Sequence, residues 1–246
     1  MTAPLAIDPT LDPARIAPVF RRLGRIHLPG ILDPGAAARV GEAIGGDQVP
    51  WVKSWRTTGP SLDGSLEAFE AMSGPDRAAF DADMTKAASD GFCFQFDAWR
   101  LSDDILAGKR RGGALAPLEA VHDLVNSEAF LGFIRTITGV PDCAYSDTMV
   151  SRYRSGDFLS AHDDAIAGKK RLFAYVLNFT PVWRADWGGV LTFLDEDGHV
   201  AEGYSPVFNA LNIFTVPQAH AVSMVIPYAN KPRLSVTGWI RSARDD

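Results

Sequence analysis

Cysteine is scarce: Cys93 and Cys143 are the only two in 246 residues, too far apart for a C-x-x-C redox pair or a zinc ribbon. This excludes a disulfide-stapled scaffold and fits a reducing compartment. Long apolar runs are also missing; no stretch reaches the roughly 18 residues of a membrane-spanning helix. Residues 1–9 carry no basic patch followed by an apolar segment, so a cytoplasmic protein with no membrane partner is expected. Positive charge is in deficit, with 24 Lys and Arg against 30 Asp and Glu and a net charge of −6. Bulk attraction to phosphate backbones is therefore lacking, and nucleic acid is not expected as the primary partner. There is no internal repeat, low-complexity stretch or linker. What remains is an ordinary globular composition, 46% hydrophobic and 22% charged, in a chain long enough to bury a core without staples.

The first half reads mainly as helices on a few strands. Asp33 and Pro34 supply an N-cap and a first-turn proline for an amphipathic helix over 35–44. Apolar residues at helical intervals predict further helices over 76–89 and over 115–138, the latter interrupted near Ser127. Residues 92–99 (FCFQFDAW) alternate like a strand, whereas polar, glycine-containing 102–117, with Lys109-Arg110-Arg111 at its middle, reads as a mobile surface loop. After Gly139 the texture changes to eight short strands, over 144–153, 158–162, 172–179, 189–194, 199–204, 210–215, 219–225 and 233–240. Turn signals separate them, among them Ser155-Gly156 and Asp197-Gly198. The expected fold is α+β: a double-stranded β-helix (jelly roll) of about eight strands with supporting N-terminal helices. One catalytic domain is expected over 1–246, a helix-rich support region over 1–140 and a jelly-roll core carrying a metal site over 141–246.

Of the five histidines, only His162 opens a His-x-Asp, with Asp164 two residues on. The two-residue period of a strand puts His162 and Asp164 on one face and Asp163 on the other. His220, 58 residues later, is the candidate third ligand. Two imidazoles and one carboxylate on one face of a metal favour Fe(II) and leave open positions. Arg233 opens a strand whose alternate residues Arg233, Ser235, Thr237 and Trp239 share a face. No acidic residue lies within that strand, and a buried guanidinium needs an anion, so a ligand carboxylate is the natural partner, with Tyr153 as a possible second contact. His27 and His122 read as structural or surface histidines, His199 as exposed in a hairpin turn, and both cysteines as small buried apolar residues.

These residues resemble a known family, the iron(II)- and 2-oxoglutarate-dependent oxygenases, and within it the prolyl 4-hydroxylase-like branch. The stretch Met149-Val150-Ser151-Arg152-Tyr153, Gly156, Phe158-Leu159 and His162-Asp163-Asp164 resembles the branch's approach to its iron. Tyr175-Val176-Leu177-Asn178 and Trp187-Gly188-Gly189-Val190-Leu191 resemble its next two strands. Asn209, Phe214, His220-Ala221-Val222 and Arg233 to Trp239 complete the pattern in order. The nearest likeness is to the ribosomal-protein prolyl hydroxylase subgroup, over roughly residues 90–240. Members of that subgroup commonly carry a second, non-catalytic jelly roll; this sequence ends six residues after its last predicted strand, so a catalytic domain alone is expected. Where many prolyl hydroxylases have a tyrosine immediately before Leu-Asn, this chain has Val176, with Tyr175 one step earlier on the opposite face.

The resemblance implies Fe(II) held by His162, Asp164 and His220, and 2-oxoglutarate whose far carboxylate meets Arg233, supported by Tyr153 and Thr237. Dioxygen is the second co-substrate and ascorbate a supporting reductant. It implies hydroxylation of an unactivated C–H bond with release of succinate and CO2, on a prolyl residue of a protein or peptide. Trp239, Trp187 and Arg171 are the candidate substrate contacts. Two other readings stay open at this level: the same chemistry on a free amino acid or natural-product small molecule, and a non-catalytic metal- or ligand-binding jelly roll.

Overall fold

The computed structural model describes residues 4–242. In chain order the elements are α1 (Pro13–Leu23), β1 (Arg25–Pro29), α2 (Pro34–Gly45), β2 (Val52–Arg56), β3 (Leu62–Ser65), α3 (Leu66–Glu70) and α4 (Gly74–Asp90). They continue with β4 (Phe94–Trp99), α5 (Leu101–Leu106), α6 (Ala116–Val125), α7 (Glu128–Thr138), β5 (Tyr145–Ser146), β6 (Met149–Tyr153), β7 (Phe158–His162) and β8 (Arg171–Asn178). The last are β9 (Leu191–Leu194), β10 (Val200–Tyr204), β11 (Ala210–Thr215), β12 (His220–Val222) and β13 (Arg233–Arg241). Short 3-10 turns cover Gly113–Leu115 and Ala185–Trp187.

Helix ends follow local chemistry. The Asp33 side chain accepts from the Gly35 and Ala36 N–H groups at the start of α2, and Ser127 accepts from Phe130 at the start of α7. Gly24 and Gly139 close α1 and α7 in the left-handed conformation. The break between α6 and α7 is fastened by Asn126, whose side chain bonds both the N–H and the carbonyl of Ser146.

The strands form one continuous hydrogen-bonded sheet in the order β1-β11-β8-β13-β6-β4-β7-β12-β9-β10, with β2 and β3 attached to β4 and β5 to β13. The neighbouring pairs are antiparallel, and the sheet folds over on itself so that β8, β13 and β6 face β7, β12 and β9 across a common interior, the expected double-stranded β-helix. Strands from both halves of the chain share it: β4, all of whose residues are buried, pairs with β2 along one edge and, along the other, with β7 at Phe94–Gln95 and β6 at Asp97–Trp99.

Alternation along β8 sorts two cores. Phe173, Tyr175 and Leu177 pack with Ile213, Val236, Phe130 and Ile134 in the helix-side cluster, whereas Ala174 and Val176 join Phe94, Phe96, Tyr153, Phe193 and Phe214 inside the barrel. The Tyr175 hydroxyl donates to the Asp147 carbonyl oxygen at 2.7 Å. Gly238 lets β13 pass close to this point, since a Cβ there would lie 2.0 Å from the Asp147 carbonyl oxygen.

Three expectations change. The predicted strand over 144–153 divides into β5 and β6. The hairpin β2–β3 was not anticipated. Residues 102–117 are not a mobile loop: Leu101, Ser102 and Leu115 are buried, Arg110 pairs with Asp123, Arg111 pairs with Asp104, and Glu119 accepts from the Arg111 and Gly112 N–H groups. Ion pairs and part-buried backbone bonds to Glu119 fasten what the composition alone reads as loose.

Candidate metal centre and co-substrate pocket

His162 ends β7 and His220 begins β12, directly opposite each other in the antiparallel register. Their ring centroids are 4.1 Å apart. Each imidazole places Nδ1 against a main-chain carbonyl oxygen, His162 at 3.0 Å from that of Ser160 and His220 at 2.7 Å from that of Gln218. A proton held on Nδ1 by that contact leaves the Nε2 lone pair free in both rings. Asp164 lies beyond the end of β7, with its backbone in the left-handed region at φ 63°. Its Oδ1 is 3.4 Å from His162 Nε2 and its Oδ2 3.5 Å from His220 Nε2. Strand parity therefore is not what aims Asp164; a turn does, while Asp163 is exposed and accepts from the Ala165 N–H.

The three side chains offer ligand atoms all within 4.8 Å of one another, the one such group among the described residues. Burial opposes ionisation of Asp164, but its contacts with His162 and His220 outweigh it and hold the carboxyl below its usual range. Burial, reinforced by His162, lowers His220 to about 4, against the opposing pull of Asp164, so that ring stays neutral. A carboxylate oxygen and two imidazole nitrogens converging on one point fit a divalent first-row metal such as Fe(II). Aromatic rings fix the imidazoles: Phe92 lies 4.9 Å from His162 and Phe214 4.6 Å from His220, edge-on.

The triad lines a cavity of about 850 Å³ together with Tyr153, Arg233, Thr237, Trp239 and Arg171. Arg233 stands across from Tyr153 in the β13–β6 register and is almost wholly buried. Its guanidinium lies 5.1 Å from the Tyr153 ring centroid, Nη1 is 3.4 Å from the Ser235 hydroxyl, and Nε has no hydrogen-bond acceptor. No carboxylate among the described residues lies within ion-pair distance of it, and burial pushes its pKa below the ordinary value. A desolvated cation without a counter-ion is expensive, and a carboxylate from a ligand would satisfy it. The Gly188-Gly189 turn packs on its stem: a Cβ at Gly189, whose φ is +62°, would sit 3.1 Å from both Arg233 Cδ and the Trp183 ring. Trp183 closes that turn by donating to the Gly188 carbonyl oxygen at 2.9 Å.

Residues 148–241 match the sequence model of the 2OG-Fe(II) oxygenase superfamily. The matched segment begins one residue before β6 and ends with β13, so it contains every candidate ligand and pocket residue named above except Phe92, which precedes β4. Over 119 residues the chain is 30% identical to a mouse protein named prolyl 3-hydroxylase OGFOD1, an overlap of 46% of this chain and 21% of the relative. The chain thus spans about a fifth of the length of that curated relative. A Burkholderia pseudomallei oxidoreductase of the 2OG-Fe(II) oxygenase family shares the fold at 15% identity and a TM-score of 0.60, covering 99% of this chain and 98% of that one. A Trichoplax adhaerens prolyl hydroxylase, solved with a hypoxia inducible factor peptide fragment, aligns with a TM-score of 0.60 at 14% identity, over 93% of this chain and 89% of that one.

The cavity takes in eight of the nine residues singled out from the sequence. Trp187 is the exception: it sits in the 3-10 turn, edge-on to Trp183 with ring centroids 5.3 Å apart, and does not line the cavity. Sequence reasoning passed over Phe92 and Phe214 as wall residues and Arg56 altogether. Arg56, at the end of β2, lines the cavity with its guanidinium 5.3 Å from the Phe92 ring. Phe214 shares a face with Asn212 and was recoverable from the alternation of 210–215; nothing local distinguishes Arg56.

Proposed function

We propose that the protein is an Fe(II)- and 2-oxoglutarate-dependent dioxygenase that hydroxylates a prolyl residue in a protein or peptide. The observation that carries this reading is the pairing, inside one cavity, of a His2Asp triad with a buried guanidinium that has no carboxylate of its own. His162, Asp164 and His220 would hold the metal. Arg233 would take the far carboxylate of 2-oxoglutarate as a charge-assisted pair, with Tyr153 shaping the guanidinium's face and Thr237 adding a hydroxyl. When bound, ferrous iron and 2-oxoglutarate supply the oxidising power, activating dioxygen toward an unactivated C–H bond with release of succinate and CO2. The protein's residues orient: the carbonyl oxygens of Ser160 and Gln218 set both imidazole tautomers, and the phenyl rings of Phe92 and Phe214 keep water from their flanks.

Phe92, Leu159, Ile166 and Trp239 give the cavity an apolar lining suited to a pyrrolidine ring. The prolyl hydroxylase named among the relatives supports a prolyl target, and the Trichoplax adhaerens neighbour's peptide supports a polypeptide one. A free amino acid or other small molecule is the second reading, favoured by the cavity volume, which falls within the range of small-molecule pockets. Two buried, unpaired cysteines support a reducing, cytoplasmic setting. No helix among the described residues is long and apolar enough to cross a membrane.

The test is succinate formation from 2-oxoglutarate by the full chain loaded with Fe(II), followed by mass spectrometry of proline-containing peptides and of small-molecule pools for a gain of one oxygen. Persistent absence of succinate with iron bound would leave only a non-catalytic jelly roll.

A further inference from the structure

Asp164 is the least conventionally placed of the three candidate ligands. It is a non-glycine residue in left-handed backbone, at the start of the segment between β7 and β8, and its own strand has already ended. Such a conformation persists where neighbouring structure over-determines it. The neighbour that does so is Arg171, the first residue of β8, whose main chain is fixed opposite Arg241 in the sheet. From there the guanidinium reaches back across the turn. Its Nη1 donates to the Asp164 main-chain carbonyl oxygen at 2.9 Å and lies 3.7 Å from Asp164 Oδ1. Its Cζ stands over the Trp239 ring, 3.5 Å from the centroid, and the side chain is only 10% exposed.

We propose that Arg171 is a positioning residue for the metal centre: clamped on the Trp239 ring, it holds the Asp164 carbonyl and so locks the left-handed turn that carries the Asp164 carboxylate over the two imidazoles. This assigns Arg171 and Trp239 to the support of a ligand, where the sequence suggests substrate contacts, and it rests on the metal-binding reading of the triad. A guanidinium is suited to the task because it stacks and donates in one plane; the ammonium of a lysine keeps the charge and loses the stack. Groups that orient a metal ligand from outside the coordination sphere typically change metal affinity about 10- to 100-fold when removed.

The experiment uses the full-length chain with Mn(II) alone as probe, free Mn(II) being counted by electron paramagnetic resonance, and Co(II) absorption as a report of ligand geometry. No substrate is needed. Arg171→Ala, Arg171→Lys and Trp239→Leu are each expected to weaken Mn(II) binding about 10- to 100-fold and to change the Co(II) ligand-field bands, with circular dichroism and thermal melting unchanged. If Arg171→Ala fails to fold, Arg171→Lys carries the test. Mn(II) affinity and Co(II) bands equal to wild type in Arg171→Lys and Trp239→Leu would overturn the assignment. Lysine restoring wild-type values while leucine does not would overturn the clamp in favour of simple charge. His162→Ala is the control: if it binds Mn(II) as tightly as wild type, the metal site itself is misplaced, a failure distinct from that of Arg171.

Discussion

Lys53 and Arg233 are both nearly inaccessible cations on strands of one sheet, yet they keep different company. Lys53 Nζ lies 2.5 Å from Asp157 Oδ1 and 3.5 Å from Asp97 Oδ1, and Asp97 is gripped again by Arg152 at 2.9 Å and Arg154 at 2.8 Å. Burial still outweighs Lys53 at Asp157 and raises its carboxyl above the usual range. Arg233 has a tyrosine face, a distant serine hydroxyl and an Nε with no acceptor. The first arrangement ties β2, β4 and the turn after β6 together. The second leaves a vacancy of charge that only something from outside can fill. Buried charge thus has two meanings in this molecule, and the presence or absence of a protein carboxylate separates them.

That contrast can be tested directly. The largest effect is expected at the metal triad, where Asp164→Ala should reduce Fe(II)-dependent succinate formation to background while the thermal midpoint stays near that of wild type, because the Lys53 network is untouched. Lys53→Met comes next: leaving the buried Asp157 carboxylate without its cation, while Asp97 keeps Arg152 and Arg154, should cost about 3–5 kcal/mol of unfolding free energy, read from urea denaturation. Arg233→Met should do the opposite to the two readouts. Stability should hold or rise, since a desolvated cation disappears, while 2-oxoglutarate binding to the Mn(II)-loaded protein weakens roughly 10- to 100-fold by titration calorimetry, as losing a charge-assisted bond implies. A fall in denaturation midpoint matching that of Lys53→Met would erase the distinction between the two cations. The smallest effect belongs to Thr237→Val, a single neutral hydroxyl, with roughly a two- to tenfold weakening of 2-oxoglutarate and no change in metal affinity.

Where the determinants are local, the sequence is a good guide. The strands over 158–162 and 210–215 have the predicted bounds, and the break at Ser127 separates two helices because that residue caps the second. The pairing of Arg233 with Tyr153 follows from strand order and alternation. The hairpin β2–β3 was illegible for a physical reason: Val52-Lys53-Ser54-Trp55-Arg56 buries its lysine against Asp97 and Asp157, partners remote in sequence, so no alternation of apolar and polar residues marks it. Arg56 was missed with it. Asp164 was chosen by strand parity although its strand stops at His162; the turn that presents it depends on contacts from β8 and β13, which no local pattern encodes.

The seam strand β4 sets a condition on the whole centre. A fragment starting after residue 140 would retain both imidazoles, the aspartate and the guanidinium, yet β6 and β7 would each present a raw row of unpaired amides and carbonyls where Phe94–Trp99 now joins them. Exposed edges of that kind recruit other chains. The half that carries the candidate site is therefore no portable cassette: transplanted alone it should aggregate, and assembling that site requires docking of a segment translated well before any of the three candidate ligands.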